Sequence, residues 1–419
     1  MVHKRFSRRD WFMGATLMAL TGCAEKSGER VSSGSSGEES GASTAPSGTP
    51  TRRGAAPGSP TPTTSPTSVT SPTRVDDWQP VREHWAEPDL EPFHGTVQHL
   101  FIHQIIPFPR MAFASEEGQD FDDWYITRSE AIALIDELRA RHYVLVVLVS
   151  LADCFVRRGH AVVPNPELRV PRGHKPLVLS IDDLSFNRFL LGKGFMDRII
   201  IDSTGHLSSI GKDPSTGRQF EEPTNCIVGL LDGYLRAHPE FSLNGAAATL
   251  GLTGYEGILG YRTDRHERNR AAQQEAVKPI IALMRKRGWT FASHSYGHID
   301  LGSKRMTREW VADDTAKWKR EVGELLGPTS LYITPFGSLA ALDGPLMKVI
   351  REAGFDVICD VSDGTTVNQR PDLGLVVQSR LHVDGYGMRH TPHIYRDFFD
   401  VDKVFDHHHR LAKWGHHHL

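Results

Sequence analysis

A chain of 419 residues would ordinarily hold two or three domains. Its 48 basic and 51 acidic side chains give a formal net charge of −3, which argues against nucleic acid as a partner. No apolar run approaches the ~20 residues that a transmembrane helix needs, and four cysteines exclude a disulfide-dense scaffold. Apolar residues make up only 39% of the chain, so part of it should lie outside any hydrophobic core.

Residues 1–23 have the layout of a secretory signal, with basic residues followed by a short apolar stretch. Residues 7–12 (Ser-Arg-Arg-Asp-Trp-Phe) are similar to a twin-arginine export motif. The Leu-Thr-Gly-Cys at 20–23 resembles a bacterial lipobox, in which cleavage precedes the cysteine and the cysteine is then lipidated. We therefore expect an exported protein, held at the outer face of the bacterial cell membrane by a lipid on Cys23. The alternative is an ordinary signal peptide in which Cys23 is incidental.

Residues 24–96 are expected to form a disordered tether and lead-in. Between 24 and 74, Ser, Gly, Pro and Thr account for 35 of 51 residues, and aromatic, Leu and Ile residues are absent. Such a composition cannot bury enough apolar surface to offset the entropy lost on ordering. The Pro-Thr-Ser repeats favour an extended, semi-stiff spacer, so reach is the function that we assign to this segment.

Residues 97–395 alternate strand-like and helix-like segments. The strand predictions are 97–106, 143–151, 177–181, 246–252, 290–293, 330–333, 357–359 and 375–378. The helix predictions are 129–141, with Ser129 as its cap, then 224–238, 273–288, 307–326 and 344–353. This alternation predicts a parallel sheet with helices outside it, in an α/β barrel whose chemistry gathers at the C-terminal strand ends. Residues 185–225 instead predict a β-rich excursion from that barrel.

Three cysteines follow Cys23, at positions 154, 226 and 359. An odd number cannot pair completely, and we interpret them mainly as small buried apolar residues. A bridge between Cys154 and Cys226 stays open. The histidines at 407–409 and 416–418 lie in a polar segment, 396–419, that we predict to be a His-rich tail in which metal binding is weak and incidental.

Two motifs carry chemistry, and each directly follows a predicted strand. Asp182 and Asp183 end the strand at 177–181, and His294 and His298 follow the strand at 290–293. Because parallel strands end at one rim, we expect these four side chains to lie together. Two histidines and one carboxylate are the usual ligands of a catalytic zinc, with a fourth position left for water. The second aspartate could then accept a proton from that water.

These motifs resemble those of the polysaccharide deacetylases with a NodB-homology domain, carbohydrate esterase family four. Ser180-Ile181-Asp182-Asp183 matches the family's first motif, and His294 to His298 matches its second. The resemblance implies a distorted (β/α) barrel of the NodB type over residues 97–395, with the β-rich insertion. It also implies Asp182 as general base and the other three side chains (Asp183, His294 and His298) as ligands of a divalent metal, with zinc expected.

The third motif of the family is matched only in part. Pro335-Phe336-Gly337 are present, but Ile333 stands where the family has an arginine that steadies the base. The resemblance implies that the backbone N–H of Phe336 stabilises the oxyanion. We expect either Arg262 or Arg380 to take the place of the missing arginine.

The remaining motifs give further candidates. Asp360 or Asp363 could supply the aspartate of the fourth motif, and His382 is our candidate for the general acid of the fifth. The stretch 253–261, rich in Gly and Tyr, is expected either to form a wall of the substrate site or to be a packed turn.

The resemblance implies a metal-dependent hydrolase that removes N- or O-linked acetyl groups from a cell-wall or extracellular polysaccharide. Two alternatives remain. One is a hydrolase of a non-sugar C–N bond on the same fold, and the other is a glycan-binding relative that kept the metal and lost turnover. The substitution at Ile333 motivates the second alternative.

Overall fold

The structure, a computed structural model, describes residues 84–148, 155–158, 161–164, 168–264, 266–362, 364–370 and 372–410. The predicted signal, Cys23 and the tether up to residue 83 lie outside the described residues, as do Cys154, Asp363 and the histidines at 416–418. Within the part of the chain that is described, no helix has the length and apolar character that crossing a membrane requires.

Seven parallel strands of the described residues close into a barrel. They are β1 (Gln98–Ile102), β2 (Lys175–Asp182), β3 (Thr249–Leu252), β4 (Thr290–Ser293), β5 (Leu331–Ile333), β6 (Val357–Val361) and β7 (Leu375–His382). Each strand pairs with the next in chain order, and β7 pairs with β1 to complete the ring. The predicted barrel is therefore confirmed, and all seven C-terminal ends meet at one rim.

Nine α-helices of four or more residues flank these strands in the described residues. They are α1 (Pro109–Phe113), α2 (Gly118–Trp124), α3 (Arg128–Ala140), α4 (Ile227–Ala237), α5 (Arg270–Lys286), α6 (Arg308–Trp318), α7 (Pro345–Glu352), α8 (Gly385–His390) and α9 (Val401–Val404). The helix predicted at 307–326 is interrupted, because α6 passes into a π-helical segment at Lys319–Gly323 before a last turn at Glu324–Leu326. The cap of α3 is Thr127 rather than Ser129, since the Thr127 side chain accepts from Glu130 N and the Glu130 carboxylate accepts from Thr127 N.

Shorter strands pair with strands of the barrel or form small sheets of their own. Tyr143–Leu145 pairs with the first half of β2, and Val367–Arg370 runs antiparallel to β7. The β-rich excursion is confirmed as a three-stranded antiparallel sheet of Arg198–Ile201, Leu207–Lys212 and Gln219–Glu221. Two further antiparallel pairs join Leu90–Pro92 to Arg169–Pro171 and Phe155–Arg158 to Ala161–Pro164.

The two faces of β2 differ in chemistry. Leu177, Leu179 and Ile181 join the large core between the strands and the surrounding helices. The alternate residues share the other face, because side chains alternate along a strand. On that face Val178 packs with an apolar layer, whereas Ser180 and Asp182 are polar and buried. The barrel interior is thus apolar at its base and polar towards the rim.

The packed unit continues past residue 395, where we expected the tail to begin. Phe398, Phe399 and Val404 are buried, and the buried Arg410 forms ion pairs with Glu130 and Asp122. The predicted boundary is therefore too early, because this segment covers apolar side chains of the barrel domain. Cys226 and Cys359 are free, buried thiols, so Cys226 is not bridged.

Candidate metal centre and active site

Asp183, His294 and His298 are brought together at the rim, as the sequence predicts. One ligand atom from each lies within 4.8 Å of the others. Asp183 Oδ2 is 3.4 Å from His298 Nε2 and 3.9 Å from His294 Nε2. A tetrahedral zinc with bonds near 2.0–2.1 Å places its ligand atoms about 3.3 Å apart. Asp183 Oδ1 is buried and has no hydrogen-bond partner, as expected for a carboxylate oxygen at a cation-binding site. The three side chains fit a divalent metal.

The orientation of His294 is fixed by a backbone contact. Its Nδ1 lies 2.9 Å from the carbonyl oxygen of Ile333, which can only accept a hydrogen bond. Nδ1 therefore carries the proton, and Nε2 is left to face Asp183 as a ligand atom. Ile333 contributes this carbonyl while its side chain packs in the apolar layer of the barrel.

The loop that carries both histidines is held by acidic side chains of the helix behind it. The buried Asp314 of α6 accepts hydrogen bonds from Tyr296 N at 2.8 Å and from Gly297 N at 2.7 Å. The Tyr296 hydroxyl donates to Glu321 at 2.9 Å, from the π-helical segment. These contacts fix the backbone between the two ligands.

Four residues of the rim occupy the left-handed backbone region. The φ angles are +58° at Asp183, +56° at Ser295, +53° at His298 and +59° at Phe336. Non-glycine residues in this region cost about 1–3 kcal/mol each. Such strain persists where the surroundings over-determine the geometry, and it is concentrated here at the candidate metal centre.

Charge interactions set the protonation states of the candidate ligands. Burial opposes ionisation of Asp183, but the facing His298 and His294 rings outweigh it and hold the pKa of this carboxyl below its usual range. Burial disfavours the cationic form of His298, yet the neighbouring Asp183 raises its pKa above the usual value. A cation that binds here therefore finds an ionised carboxylate, and it competes with a proton on His298.

Arg380, rather than Arg262, steadies Asp182. The fully buried Arg380 guanidinium makes a bidentate pair with Asp182, at 2.9 Å for each of its two hydrogen bonds. The alternative, Arg262, does not take this place, because its guanidinium donates to the backbone carbonyls of Ser185, Phe186 and Glu256. Arg380 thus replaces from β7 the arginine that the third motif lacks.

The pair keeps the candidate base ionised. Burial alone would protonate Asp182, but Arg380 and then His294 lower the pKa of its carboxyl below the usual value. The other side of the Arg380 guanidinium lies over the Phe101 ring, 4.1 Å from its centroid. The base is therefore charged at neutral pH and fixed in position.

A buried polar chain inside the barrel supports Arg380. Arg380 Nη1 donates to Ser180 Oγ at 3.1 Å, and the Ser180 hydroxyl lies 2.9 Å from His99 Nε2. His99 Nδ1 lies 3.0 Å from Gln378 Oε1. Since that oxygen only accepts, His99 carries a proton on Nδ1. Burial lowers the pKa of His99 to about 3, so the ring is neutral near pH 7. This chain of contacts links β1, β2 and β7 below the base.

His382 and His103 form a buried pair, of which the sequence analysis named only His382. His382 Nδ1 lies 2.5 Å from Asp384 Oδ2, and His382 Nε2 lies 3.1 Å from Nδ1 of His103. His103 Nδ1 also lies 3.0 Å from the carbonyl oxygen of Trp124, so it carries a proton. Burial and the adjacent His382 lower the pKa of His103 to about 4, while Asp183 and Asp182 act in the opposite direction. His103 is a buried histidine beside the candidate site that the sequence analysis did not name.

The remaining candidates lie as follows. The Phe336 ring packs against His298, with centroids 4.5 Å apart. The Asp360 carbonyl accepts from Arg380 Nε at 3.4 Å, and its buried Oδ1 has no hydrogen-bond partner. Residues 253–261 lie beside the site, because Gly254 N and Tyr255 N both donate to the Tyr296 carbonyl of the histidine loop. That position suits a wall of the site.

Fold and site together define a seven-stranded α/β barrel with a candidate metal centre at its rim. No protein-family model matches the sequence, and no curated protein matches it. The fold is similar to that of the Streptococcus pyogenes deacetylase PplD in complex with acetate, at 11% identity and a TM-score of 0.40, over 74% of this chain and 99% of that one. It is also similar to IcaB from Ammonifex degensii, at 14% identity and a TM-score of 0.41, over 74% and 97% of the two chains.

A third similar structure is BA3943 from Bacillus anthracis, described as a CE4 family pseudoenzyme. It has 13% identity and a TM-score of 0.23, over 40% of this chain and 53% of that one. The case for catalysis rests on the side chains at the rim.

Proposed function

We propose that this protein is a metal-dependent deacetylase that hydrolyses acetyl groups on a polysaccharide. The observation that carries the proposal is the arrangement of Asp182 beside the Asp183, His294 and His298 cluster. Asp183 and the two histidines have a geometry that fits a metal, and the neighbouring carboxylate of Asp182 is paired with Arg380 at the same rim.

The metal would be held by Asp183 and by the Nε2 atoms of His294 and His298, and zinc is the ion that suits two histidines and one carboxylate. When bound, such an ion polarises a carbonyl and lowers the pKa of a water in its open position. Asp182 accepts a proton from the attacking water, because it is ionised and cannot rotate away from Arg380. The backbone N–H of Phe336 is the candidate donor to the oxyanion.

The leaving sugar nitrogen or oxygen needs a proton, and we assign its delivery to His382, since burial keeps the adjacent His103 neutral near pH 7. Asp384 orients His382, and His382 in turn contacts His103. The candidate base and acid then come from the strands on either side of β1, β2 for Asp182 and β7 for His382.

The same contacts bear on the two alternative functions, glycan binding without turnover and hydrolysis of a non-sugar C–N bond. The non-catalytic glycan-binding alternative was motivated by Ile333, and the Asp182–Arg380 pair removes that motive. Hydrolysis of a non-sugar C–N bond uses the same machinery, so only the choice of substrate separates it from deacetylation.

Acetate release from a panel of acetylated glycans tests the proposal. Activity should be lost after chelation, return with zinc or another divalent ion, and be abolished in Asp183→Ala and His294→Ala. Asp213→Asn, which changes an exposed turn carboxylate, is the matched control and should keep full activity. Acetate release that survives in both ligand variants would overturn the proposal, whereas turnover confined to non-sugar amides would favour the C–N hydrolase.

We also propose that the protein is exported and anchored through lipidated Cys23, so that the barrel acts outside the membrane. The basic and apolar stretches of residues 1–23 and the Leu-Thr-Gly-Cys at 20–23 support this. Cell fractionation should find the protein with the membrane, and Cys23→Ala should move it to the soluble exported fraction. Membrane retention of that variant would contradict a lipid anchor.

A further inference from the structure

The segment that follows the barrel carries a buried arginine, Arg410. Its side chain is 1% exposed, although it lies beyond α9 and outside the ring of strands. An arginine is rarely buried to this extent unless it is paired. Burial disfavours the cation, but Glu130 and Asp122 outweigh it and raise the pKa of the guanidinium. Arg410 is therefore a buried cation that two carboxylates neutralise.

All five N–H groups of Arg410 have an acceptor. Nε donates to Glu130 Oε1 at 2.8 Å, and Nη2 donates to Glu130 Oε2 at 2.5 Å and to the Tyr125 carbonyl at 2.8 Å. Nη1 donates to the Asp122 carboxylate at 3.3 Å and also to the Asp122 carbonyl. Because the guanidinium is a rigid planar fork, it fixes these acceptors relative to one another.

Two of these acceptors are backbone carbonyls at the C-terminal end of α2. The last carbonyls of a helix lack partners within the helix, and a cation is favourable beside them. Arg410 binds the carbonyls of Asp122 and Tyr125, and the Trp124 carbonyl between them lies 3.0 Å from His103 Nδ1. One helix end is thus shared by the arginine and by a histidine of the buried pair.

The same helix end contacts both histidines of that pair. The Trp124 ring is nearly parallel to the His382 ring, at 5° and 6.4 Å, and the Tyr125 ring lies 5.4 Å from the His103 ring. Asp384 engages Nδ1 of His382, so Nε2 is the nitrogen left to deliver a proton, and it lies 3.1 Å from His103 Nδ1. The Trp124 carbonyl accepts the Nδ1 proton of His103. If this carbonyl were displaced, that proton would be directed at His382 Nε2.

Arg410 also packs against the start of α8. A side chain at Gly385, the first residue of α8, would clash with both the Asp122 carbonyl and the Arg410 guanidinium. Gly385 directly follows Asp384, whose carboxylate contacts His382. The arginine therefore lies between the end of α2 and the start of α8, and both of these helix ends contact the histidine pair.

We propose that Arg410 is a positioning residue for proton delivery to the leaving group. It acts through α2, whose Trp124 carbonyl orients His103 beside His382, and not through contact with the substrate. This inference rests on the proposed function, in which His382 is the acid. A misplacement of about 1 Å at a reacting group can cost about 10²-fold in rate, so a distant contact that fixes a helix end can affect catalysis.

Two substrates with different leaving groups test this role. A sugar nitrogen or oxygen needs a proton to leave, whereas p-nitrophenolate is a stable anion that leaves without one. We compare kcat for the acetylated glycan that the protein turns over fastest with kcat for p-nitrophenyl acetate. In Arg410→Met this ratio should fall about 10- to 100-fold, while KM and the affinity for zinc stay the same. A purely structural loss would lower both rates together and leave the ratio unchanged.

Arg287→Met is the matched control, because Arg287 is also a buried arginine paired with a buried carboxylate, Asp232 of α4. It should lower stability and keep the ratio of the unmutated protein. Arg410→Lys keeps the charge but loses the planar fork, so it should fold and lower the ratio less than Arg410→Met does. An unchanged ratio in both Arg410 variants, or an equal fall in Arg287→Met, would overturn the proposal.

A double mutant shows whether Arg410 acts through the acid. In a His382→Gln background the acid is already missing, so adding Arg410→Met should produce no further fall in the ratio. If the two falls multiply in the double mutant, Arg410 acts through another group and the positioning role is contradicted.

NMR of isotope-labelled histidine separates this inference from the proposed function. With His103→Gln as the assignment, His103 should carry its proton on Nδ1 in the unmutated protein and shift towards the Nε2-protonated form in Arg410→Met. If no glycan is deacetylated but this shift occurs, the positioning role stands and the deacetylase assignment fails. If glycans are deacetylated while the ratio and the tautomer are unaffected, the assignment stands and the role of Arg410 fails.

Discussion

Arg380→Met tests the role that we assign to the buried pair in the barrel. The side chain is fully buried, and its two hydrogen bonds to Asp182 are the contacts that hold the carboxylate ionised. Removing one partner of a buried ion pair leaves an uncompensated charge and costs roughly 3–5 kcal/mol of stability. If the base then becomes protonated, the contribution of general-base catalysis, about 10²- to 10⁴-fold, is lost at neutral pH.

The lowered pKa of Asp182 determines how the stability difference between the two proteins should change with pH. In the unmutated protein the pKa of Asp182 is lowered, so its ionisation stabilises the fold above the unfolded pKa and the stabilisation is lost as pH falls through the folded pKa. In Arg380→Met, burial dominates and raises the pKa, so the carboxylate destabilises the fold at neutral pH and less so in acid. The difference in unfolding free energy between the two proteins should therefore be largest near neutral pH and should narrow as the pH falls.

Two assays check it. Urea unfolding of the metal-free proteins at several pH values measures the stability difference, and kcat/KM against pH locates the acidic limb of activity. The limb should move to higher pH in Arg380→Met. Arg262→Met is the matched control, because Arg262 contacts backbone carbonyls and should lower stability without moving the limb. An acidic limb at the same pH in Arg380→Met and the unmutated protein would refute the reasoning.

Three further predictions concern the groups around the base. His382→Gln should lower kcat for glycan deacetylation by about 10²-fold or more and spare metal affinity in calorimetry, and a loss no larger than that of the exposed His390→Gln would refute its role as the acid. Asp314→Asn should weaken metal binding by roughly 10- to 100-fold, measured by competition with a chelator, because the backbone N–H groups of the histidine loop lose their charged acceptor. Because the pKa of His99 is lowered to about 3, stability should fall as pH drops below 6.5, and His99→Gln should flatten that slope in thermal unfolding; an unchanged slope would contradict a neutral buried His99.

The cluster of Asp183, His294 and His298 could be predicted because each part of it follows a strand whose apolar run ends cleanly. β2 ends at Asp182 and β4 ends at Ser293, so the polar residues that follow must lie at the rim. His103 obeys the same rule and was missed because the predicted strand ran from 97 to 106, which put this histidine inside the strand. The real strand ends at Ile102, since the backbone leaves the sheet there.

The choice between two arginines could not be made from sequence. The strand predicted at 375–378 was too short, because the polar Gln378 and Arg380 interrupt its apolar pattern. In the structure β7 runs to His382, and those polar side chains belong to the buried network inside the barrel. A buried ion pair depends on the pairing of β7 with its neighbours, and local residue patterns carry no information about that pairing.

The order of the strands also sets when the site can exist. The candidate metal ligands directly follow β2 and β4, whereas Arg380 and His382 come from β7, the last strand of the ring. A chain that extends only as far as β6 contains all three candidate ligands, but it lacks both Arg380 and His382. Closure of β7 onto β1 is thus the step that brings Arg380 to Asp182 and completes the candidate site.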